Sequence, residues 1–524
     1  MTSLLRSRSN LAALASVFVL ACSPAPEPNG EGADEASPTE DGDADTTSAD
    51  TETSSDTGEP PLPGACETPL EPVLLADARL VVDVEGVARD AFGRDVVMRG
   101  LNTGNRNKTP PFVPFAVTED MPLDAFSEAA DDFFAVLQGW GMDTVRLPFS
   151  WEALEPERDV WDEAYLDRYE RMVDSAWAHG QRVILDFHQD VWARNYCGDG
   201  FPTWAVADPD APWHDCPDHD WGFKYVTDPD VRGAFDRFYA NEDELVDEFH
   251  EMWLKMSERF ADHPGVVALE ILNEPGWGTA NDIQQWKLDV LTPFHDAIIP
   301  ALHEAAPDLL VAYDNPGIDG VGLIPELVHP RPEGDFLIYG PHLYGAGTWG
   351  LEQDDPGSSV TDYAEFGRSA DVHVLLGEFG FQPEERYGPE WLDKVADALD
   401  HERISATMWE YSYNEVLWNY EDFSMVDAAG NERVQLDAWV RPWLRAVAGT
   451  EPSFAWDHGA GTGSASFVSD GGVSEVVLPP RLFGAGPSSV EIRGEEACFT
   501  LDMARGELRV TAPAGVAVDL EFAR

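Results

Sequence analysis

The sequence predicts an α/β protein, a (β/α)8 TIM barrel followed by a C-terminal β-sandwich. Between residues 94 and 412, short apolar runs alternate with longer segments of helical periodicity. Polar residues recur where these runs end, as expected for a barrel with its working face at the C-terminal ends of the strands. No glycine-rich phosphate-binding pattern follows the first run, which argues against an open doubly wound sheet.

The barrel strands are predicted from apolar runs that are often β-branched. They are residues 96–101, 144–149, 183–187, 266–272, 309–313, 336–339, 374–376 and 406–409. Helical crossovers are predicted at residues 162–179, 242–261, 279–305 and 389–402.

Beyond Thr450 the pattern changes to short alternating runs with Gly and Pro between them. The runs at residues 475–478, 489–492 and 507–510 are typical of a compact β-sandwich. We expect a structural domain packed on the barrel, with carbohydrate or lipid-surface binding as the alternative.

The N-terminus has the pattern of an export signal. Arg6 and Arg8 precede an apolar segment at residues 11–21 that is too short to span a bilayer. The segment ends in Val-Leu-Ala-Cys, which resembles a bacterial lipobox, although Leu20 is bulkier than usual there. This resemblance implies cleavage before Cys22, lipidation of Cys22 and an outer-membrane or cell-surface lipoprotein. An ordinary secreted protein is the alternative.

The domain boundaries follow from changes in composition. After the signal peptide at residues 1–22, residues 23–66 are acidic and rich in Ser, Thr, Pro and Gly, so they predict a disordered linker. Residues 67–446 are assigned to the barrel and residues 447–524 to the sandwich.

The charge of the chain excludes some partners. Acidic residues outnumber basic ones by 98 to 33, for a net charge of -65. Such a charge repels nucleic acids and anionic membrane surfaces, so we expect membrane contact only through the lipid anchor and the substrate. We also expect a monomer.

Four cysteines remain besides Cys22: Cys66, Cys197, Cys216 and Cys498. In an exported chain, Cys197 with Cys216 and Cys66 with Cys498 are candidate disulfides, although the sequence leaves the pairing open. No CxxC or His/Cys cluster predicts zinc, and no metal or organic cofactor is expected.

Two carboxylates are the candidate catalytic groups. Glu274 follows the apolar run of the fourth predicted strand and Glu378 that of the seventh, so closure of the barrel brings both to one mouth. Hydrolysis of a glycosidic bond uses such a pair, one as proton donor and the other as nucleophile in a retaining enzyme. Burial and the charge of Glu378 are expected to keep Glu274 protonated.

The other predicted site residues also lie at strand ends. Arg146, His342 and Tyr344 are expected to hold Glu378 ionised, because positive charge and hydrogen bonds lower the pKa of a carboxylate. Asn273 is expected to bind a sugar 2-hydroxyl. His188 and Trp409 share the same position in the barrel.

These residues together resemble glycoside hydrolase family 5. The resemblance rests on Arg146 in "TVRLPFSW", His188 in "LDFHQD", Asn273 and Glu274 in "EILNEP", His342 and Tyr344 in "PHLYG", Glu378 in "LLGEFG" and Trp409 in "MWEY". It implies that Glu274 is the acid/base and Glu378 the nucleophile of a retaining mechanism on a (β/α)8 barrel.

Further stretches resemble the endoglycoceramidase branch, which cuts glycosphingolipids between oligosaccharide and ceramide. They are "NKTPPF", "DFHQDVWARNYCGDGFPTWAV", "AFDRFYAN" and "VRPWLRAVAGTEPSFAWD". The resemblance implies that Lys108 and Asp190 hydrogen-bond the sugar beside the scissile bond. Tyr239 replaces the usual Trp, and Trp277 lies one residue later than usual, so both departures concern the expected sugar platform.

The substrate is therefore expected to be a glycolipid or an oligosaccharide. The apolar segment at residues 110–115 can accept acyl chains or simply pack on the barrel. Alternatives are an endo-β-1,4-glucanase, and a glucosylceramide- or steryl-glucoside-cleaving β-glucosidase of the same family. A surface lipoprotein that binds carbohydrate without catalysis is a third, against which the two intact glutamates argue.

Overall fold

A computed structural model describes residues 62–118, 120–216, 221–321, 327–345, 355–414 and 416–524. The predicted signal peptide, Cys22 and almost all of the predicted linker lie outside these residues.

The fold is built on a closed barrel of eight parallel strands, each paired with the next along the chain and the last paired with the first. Strands two, three and four are buried along their whole length, since they face helices on one side and the barrel interior on the other. The predicted fold class is confirmed. The strands are Arg99–Asn102, Thr144–Phe149, Arg182–Phe187, Val266–Glu270, Leu310–Tyr313, Leu337–Tyr339, His373–Leu376 and Ser405–Met408.

The longer helices cross over between the strands. Several begin at an aspartate whose side chain accepts hydrogen bonds from the first backbone N–H groups, as Asp162 does from Ala164 and Tyr165. The predicted crossover at residues 279–305 is interrupted by a π-helical segment, Lys287–Leu291. The α-helices are Leu123–Gly139, Trp151–Leu154, Glu163–Ala178, Lys224–Thr227, Pro229–Tyr239, Leu245–Phe260, Ile283–Trp286, Thr292–Ala305, Pro356–Ala370, Gly388–Glu402, Val434–Trp439 and Pro480–Phe483.

Short 3-10 turns lie in the connecting segments. They are Asn105–Lys108, Arg194–Tyr196, Thr203–Ala205, Trp221–Phe223, Glu242–Glu244, Gly317–Val321 and Trp418–Tyr420.

The C-terminal part contains two antiparallel sheets around a core of its own, which includes Trp443, Phe454 and Phe467. The four-stranded sheet has the order Gly449–Asp457, Thr462–Ser469, Ala517–Ala523 and Ser489–Arg493. The seven-stranded sheet has the order Val81–Val82, Ala88–Arg89, Asp95–Val96, Trp443–Val447, Ser474–Val477, Glu507–Thr511 and Cys498–Asp502.

The sandwich therefore contains strands that precede the barrel in the sequence and strands that follow it. Val96 pairs with Ala446 in the seven-stranded sheet, whereas Arg99 begins the first barrel strand. The run predicted as one strand at residues 96–101 is thus divided between the two domains. Residues 81–96, which the sequence-based division placed in the barrel domain, pair within the sandwich instead.

Both candidate disulfides are present in the structure. Cys197 is bonded to Cys216 across 19 residues, and Cys66 to Cys498 across 432 residues. In the part of the chain that the structure describes, no helix is both long enough and apolar enough to cross a membrane.

Candidate active site

The site lies at the C-terminal ends of the barrel strands. Arg146 is within the second strand, and Asn273 and Glu274 follow the fourth. Beyond the sixth and seventh strands, the short strands His342–Tyr344 and Glu378–Gly380 pair in parallel, with His342 opposite Glu378. This extra pairing fixes two of the predicted residues side by side.

Arg146 organises the floor of the site and is completely buried. Its Nη1 donates to Oε1 of Glu378 at 2.7 Å, and Nη2 donates to Oδ1 of Asn273 at 2.8 Å. Nε and Nη2 bind both carboxylate oxygens of Glu270, and Nη1 lies 3.1 Å from Asp186. The guanidinium group thus neutralises several buried carboxylates that would otherwise be costly to ionise.

Glu378 is held in its ionised form. The Tyr344 hydroxyl donates to its Oε2 at 2.8 Å, and Nδ1 of His342 lies 3.5 Å from the same oxygen. Burial raises the pKa of Glu378, but the positive charges of His342 and Arg146 outweigh burial and bring the pKa below the ordinary value of 4.5. Glu378 is therefore a carboxylate with one oxygen bound to Arg146 and the other to Tyr344.

Glu274 is held differently. Its Oε1 lies 2.9 Å from Nδ1 of His342, and its backbone N–H donates to Oδ2 of Asp314 at 3.0 Å. Burial raises the pKa of Glu274, and its hydrogen bond with His342 only partly offsets this, so the pKa lies above 4.5. Burial lowers the pKa of His342, but the charges of Asp314 and Glu378 raise it to about 10. His342 is thus an imidazolium at neutral pH, placed between the two glutamates.

His188 and Trp409 lie face to face beside these groups. Their rings are 5.1 Å apart and nearly parallel, at 10°. Nδ1 of His188 lies 2.8 Å from Asp186, and Nε2 lies 3.5 Å from Asp190. Burial lowers the pKa of His188, but the charge of Asp186 and its hydrogen bonds to Asp186 and Asp190 raise it to about 10. Asp186 therefore links His188 to Arg146.

Lys108 lies next to this stack, among aromatic rings. Its Nζ donates to Oδ2 of Asp190 at 2.6 Å and lies 3.4 Å from Oε1 of Glu421. The same nitrogen is 4.6 Å from the ring centre of Trp409, 4.2 Å from that of Trp418 and 5.7 Å from that of Trp221. Sugar-binding sites combine these elements, since the C–H groups of a sugar pack on aromatic faces and its hydroxyls bind charged groups.

Two of the predicted sugar contacts, Asn273 and Tyr239, have protein partners in the structure. Oδ1 of Asn273 accepts from Arg146, and its Nδ2 donates to the carbonyl of Gln189 at 3.0 Å, so only one amide hydrogen of Asn273 is left for a ligand. Tyr239 ends the helix Pro229–Tyr239, and its ring packs on Phe238, Trp286 and Phe294. Tyr239 is therefore a packing residue, not brought together with the residues around Glu274 and Glu378.

The apolar segment at residues 110–115 packs inward. Phe112 and Val113 are buried, and the ring of Phe115 packs on Phe126 and Phe133 of the helix Leu123–Gly139. Of the two predicted roles of this segment, acceptance of acyl chains and packing on the barrel, the structure shows packing on the barrel.

Several residues that complete the site were not predicted from the sequence. Asp186 is the penultimate residue of barrel strand three and Glu270 the last residue of strand four, where the strand-end rule would have found them. Trp418 and Glu421 lie farther along the loop after strand eight, where position relative to a strand gives no signal. The missed residues are Asn102, Asp186, Gln189, Trp221, Glu270, Asp314, Trp418 and Glu421.

Three groups in the site have ligand atoms close enough together to hold a metal ion: Glu274, His342 and Glu378; Glu270, Asp314 and His342; and His188, Asp190 and Asp199. In each group a protein cation is already bound to a carboxylate: Arg146 binds Glu378 and Glu270, and Lys108 binds Asp190. The expectation that no metal takes part stays a prediction.

Comparison with known proteins identifies the family. The model of Cellulase (glycosyl hydrolase family 5) matches residues 90–415. The chain belongs to glycosyl hydrolase family 5. Within this family, the chain is 35% identical to endoglycoceramidase I of Rhodococcus hoagii over 191 residues, which cover 36% of each chain. It is 31% identical to an endoglycoceramidase of Cyanea nozakii over 222 residues, 38% of this chain and 42% of that one.

A solved structure gives a longer match. Endo-glycoceramidase II from Rhodococcus sp., in complex with a five-membered iminocyclitol, superposes with a TM-score of 0.66 at 25% identity, over 83% of this chain and 99% of that one. The resemblance to the endoglycoceramidase branch of glycosyl hydrolase family 5 is thereby confirmed. The segments matched in the two curated relatives span 36% and 42% of the lengths of those relatives.

Proposed function

We propose that the chain is a retaining endo-β-glycosidase that hydrolyses the bond between the oligosaccharide and the ceramide of glycosphingolipids. The observation that carries this proposal is the pair Glu274 and Glu378. A carboxylate oxygen of one lies within 4.8 Å of a carboxylate oxygen of the other, and the pKa of Glu274 is raised while that of Glu378 is lowered. Retaining glycosidases have carboxyl groups about 5–5.5 Å apart, and inverting enzymes have them farther apart.

The first step of the reaction uses both glutamates. Glu378 attacks the anomeric carbon as Glu274 gives its proton to the oxygen of the leaving ceramide, so the glycosidic bond breaks and a glycosyl ester forms on Glu378. Arg146 and Tyr344 each bind one oxygen of Glu378, and this aims the carboxylate and keeps it ionised. These contacts limit its motion, which favours attack.

The second step returns the enzyme to its starting state. Glu274, now ionised, takes a proton from water, and the resulting hydroxide displaces the sugar from Glu378. The imidazolium of His342, 2.9 Å from Glu274, stabilises the ionised form that exists between the steps. Two carboxylates and water suffice for this cycle.

Two observations support the substrate class. Lys108, Asp190 and Glu421, with the rings of Trp409 and Trp418 beside them, provide charged and aromatic contacts suited to a sugar. The relatives named above are endoglycoceramidases, and similarity to them is the basis for proposing ceramide as the leaving group.

The decisive experiment offers the protein three substrates in mild detergent: a ganglioside, glucosylceramide and a cello-oligosaccharide. Mass spectrometry of the products separates the alternatives, with Glu378→Gln as the inactive control. Intact oligosaccharide and free ceramide from the ganglioside are expected. Glucose from glucosylceramide alone would indicate a β-glucosidase, and cleavage of the cello-oligosaccharide alone would indicate a glucanase. Hydrolysis of none would favour a carbohydrate-binding protein.

We further propose that the enzyme is exported and anchored to the outer membrane or cell surface as a monomer, through a lipid on Cys22. The pattern Val-Leu-Ala-Cys at the end of the apolar segment supports this proposal. Labelling of cells with a radioactive fatty acid tests it. Label should enter the wild type but not Cys22→Ser, and equal labelling of both would contradict the anchor.

A further inference from the structure

Glu274 has an unusual backbone conformation. Its φ is +40°, in the left-handed region, which residues other than glycine rarely adopt. Such a conformation persists only where the surrounding structure holds it in place. The contacts that hold Glu274 therefore also determine where its carboxyl group points.

The backbone of Glu274 is held from both sides by buried side chains. Oδ2 of Asp314 accepts the hydrogen bond from the Glu274 N–H at 3.0 Å. Nε2 of Gln189 donates to the carbonyls of Asn273, at 2.9 Å, and Glu274, at 3.0 Å. Gln189 and Asp314 are 0% and 1% exposed, so these hydrogen bonds are shielded from water.

Asp314 also acts on the side chain of Glu274, through His342. Nε2 of His342 lies 3.3 Å from Oδ2 of Asp314, and Nδ1 lies 2.9 Å from Oε1 of Glu274. The same oxygen of Asp314 thus touches both the backbone N–H of Glu274 and the imidazole that binds its carboxyl group. Movement of Asp314 would shift both ends of Glu274.

Gly317 forms the wall on the other side of the carboxyl group. A Cβ atom on Gly317 would lie 2.6 Å from Oε1 of Glu274 and closer still to Oε2. Any larger residue at position 317 would therefore displace the carboxyl group. Gly340 is a suitable comparison, because a Cβ atom there would lie no nearer than 3.5 Å to any other atom.

We propose that Gln189, Asp314 and Gly317 are positioning residues that fix the carboxyl group of Glu274 for proton transfer to the leaving oxygen. This inference rests on the proposed function, in which Glu274 is the acid. It assigns Gly317 a role that depends only on its lack of a side chain. It also predicts a specific defect, since misplacing the acid lowers kcat/KM only for those substrates whose leaving group needs a proton.

The test measures kcat/KM for two aryl β-lactosides. Phenol is a poor leaving group and requires the acid, whereas 2,4-dinitrophenol leaves without protonation. Gly317→Ala and Gln189→Glu should lower kcat/KM for phenyl lactoside by roughly 100-fold, and by less than about five-fold for the dinitrophenyl substrate. Asp314→Asn, which keeps the shape but removes the titratable carboxyl group, should follow the same pattern and also shift the alkaline limb of the pH profile.

Controls separate this inference from the proposed function. Gly340→Ala should leave kcat/KM for both substrates unchanged. Glu274→Gln should show the largest difference in kcat/KM between the two leaving groups. Equal losses on both substrates in folded Gly317→Ala and Gln189→Glu would overturn the positioning role while the proposed function stands. A Glu274→Gln variant without leaving-group dependence would overturn both. Circular dichroism confirms that each variant is folded.

Discussion

A carboxylate oxygen of Glu378 lies within 4.8 Å of a carboxylate oxygen of Glu274, yet the pKa values of the two side chains move in opposite directions. The difference comes from their partners. Glu378 binds Arg146 directly at 2.7 Å, whereas the partner of Glu274 is the His342 ring, which Glu378 and Asp314 share. The charge of His342 together with the direct contact of Arg146 therefore makes Glu378 the nucleophile, whereas Glu274, without a contact to Arg146, remains the acid.

Removing the nucleophile should abolish turnover without unfolding the protein. Glu378→Gln keeps the size of the side chain and retains a carbonyl oxygen for Arg146, but it cannot form the glycosyl ester. We expect a loss of activity of roughly 10⁴-fold or more, as in other enzymes that lose a catalytic group. Glu304→Gln, at an exposed position, is the matched control. Activity near the wild-type rate in Glu378→Gln would remove Glu378 from the mechanism.

The rate should have a bell-shaped pH dependence. The active form has Glu378 ionised and Glu274 protonated, so kcat/KM falls on the acid side as Glu378 gains a proton and on the alkaline side as Glu274 loses one. Because the pKa of Glu378 is lowered and that of Glu274 raised, the acid limb lies below 4.5 and the alkaline limb above it. In Glu274→Gln the alkaline limb should disappear, and an unchanged limb would assign it to another group.

Loss of the charge of Arg146 should destabilise the barrel. Arg146→Ala removes the guanidinium group that contacts three buried carboxylates, Asp186, Glu270 and Glu378, which we expect to cost about 3–5 kcal/mol in the free energy of unfolding. Chemical denaturation measures this change. The comparison is Arg493→Ala, which removes an exposed ion pair with Glu521 and should change stability by less than about 1 kcal/mol. Equal effects of the two changes would contradict the role of Arg146 in the barrel core.

The rings around Lys108 should contribute to binding of the sugar. Trp221 is partly exposed and lies 5.7 Å from Nζ of Lys108, so Trp221→Ala removes an aromatic face next to this cation. We expect KM for ganglioside to rise by about five-fold, a loss of about 1 kcal/mol, with kcat nearly unchanged. Trp213→Ala in the same loop is the control, since Trp213 is 53% exposed and covers Arg194 instead. Similar changes in both variants would point to the loop as a whole.

Much of this site can be predicted from the sequence, because residues at the C-terminal ends of barrel strands lie close together in space. Arg146, Glu274 and Glu378 are far apart along the chain but lie at the ends of strands that must meet. The same rule would also have found Asp314, which directly follows the fifth strand. It does not reveal the role of Asp314 and Gln189, because hydrogen bonds to a backbone leave no trace in the identity of the residue they hold.

Two other differences have physical causes. The motif AFDRFYAN predicts that Tyr239 contacts the sugar. In the structure, the helix that carries Tyr239 directs its ring towards Trp286 and Phe294. The strands Val81–Val82 and Asp95–Val96 are too short to give a pattern. Asp95–Val96 is a strand because it pairs with Trp443–Val447, which is remote in sequence, and with Arg89.

The disulfide between Cys66 and Cys498 spans nearly the whole described chain. A protease that cuts one exposed loop of the barrel would therefore not release a fragment, since the two pieces stay covalently joined. Such a nicked enzyme would migrate as a single species in electrophoresis until a reducing agent is added. In an environment with many proteases, a damaged copy would thus keep its parts together.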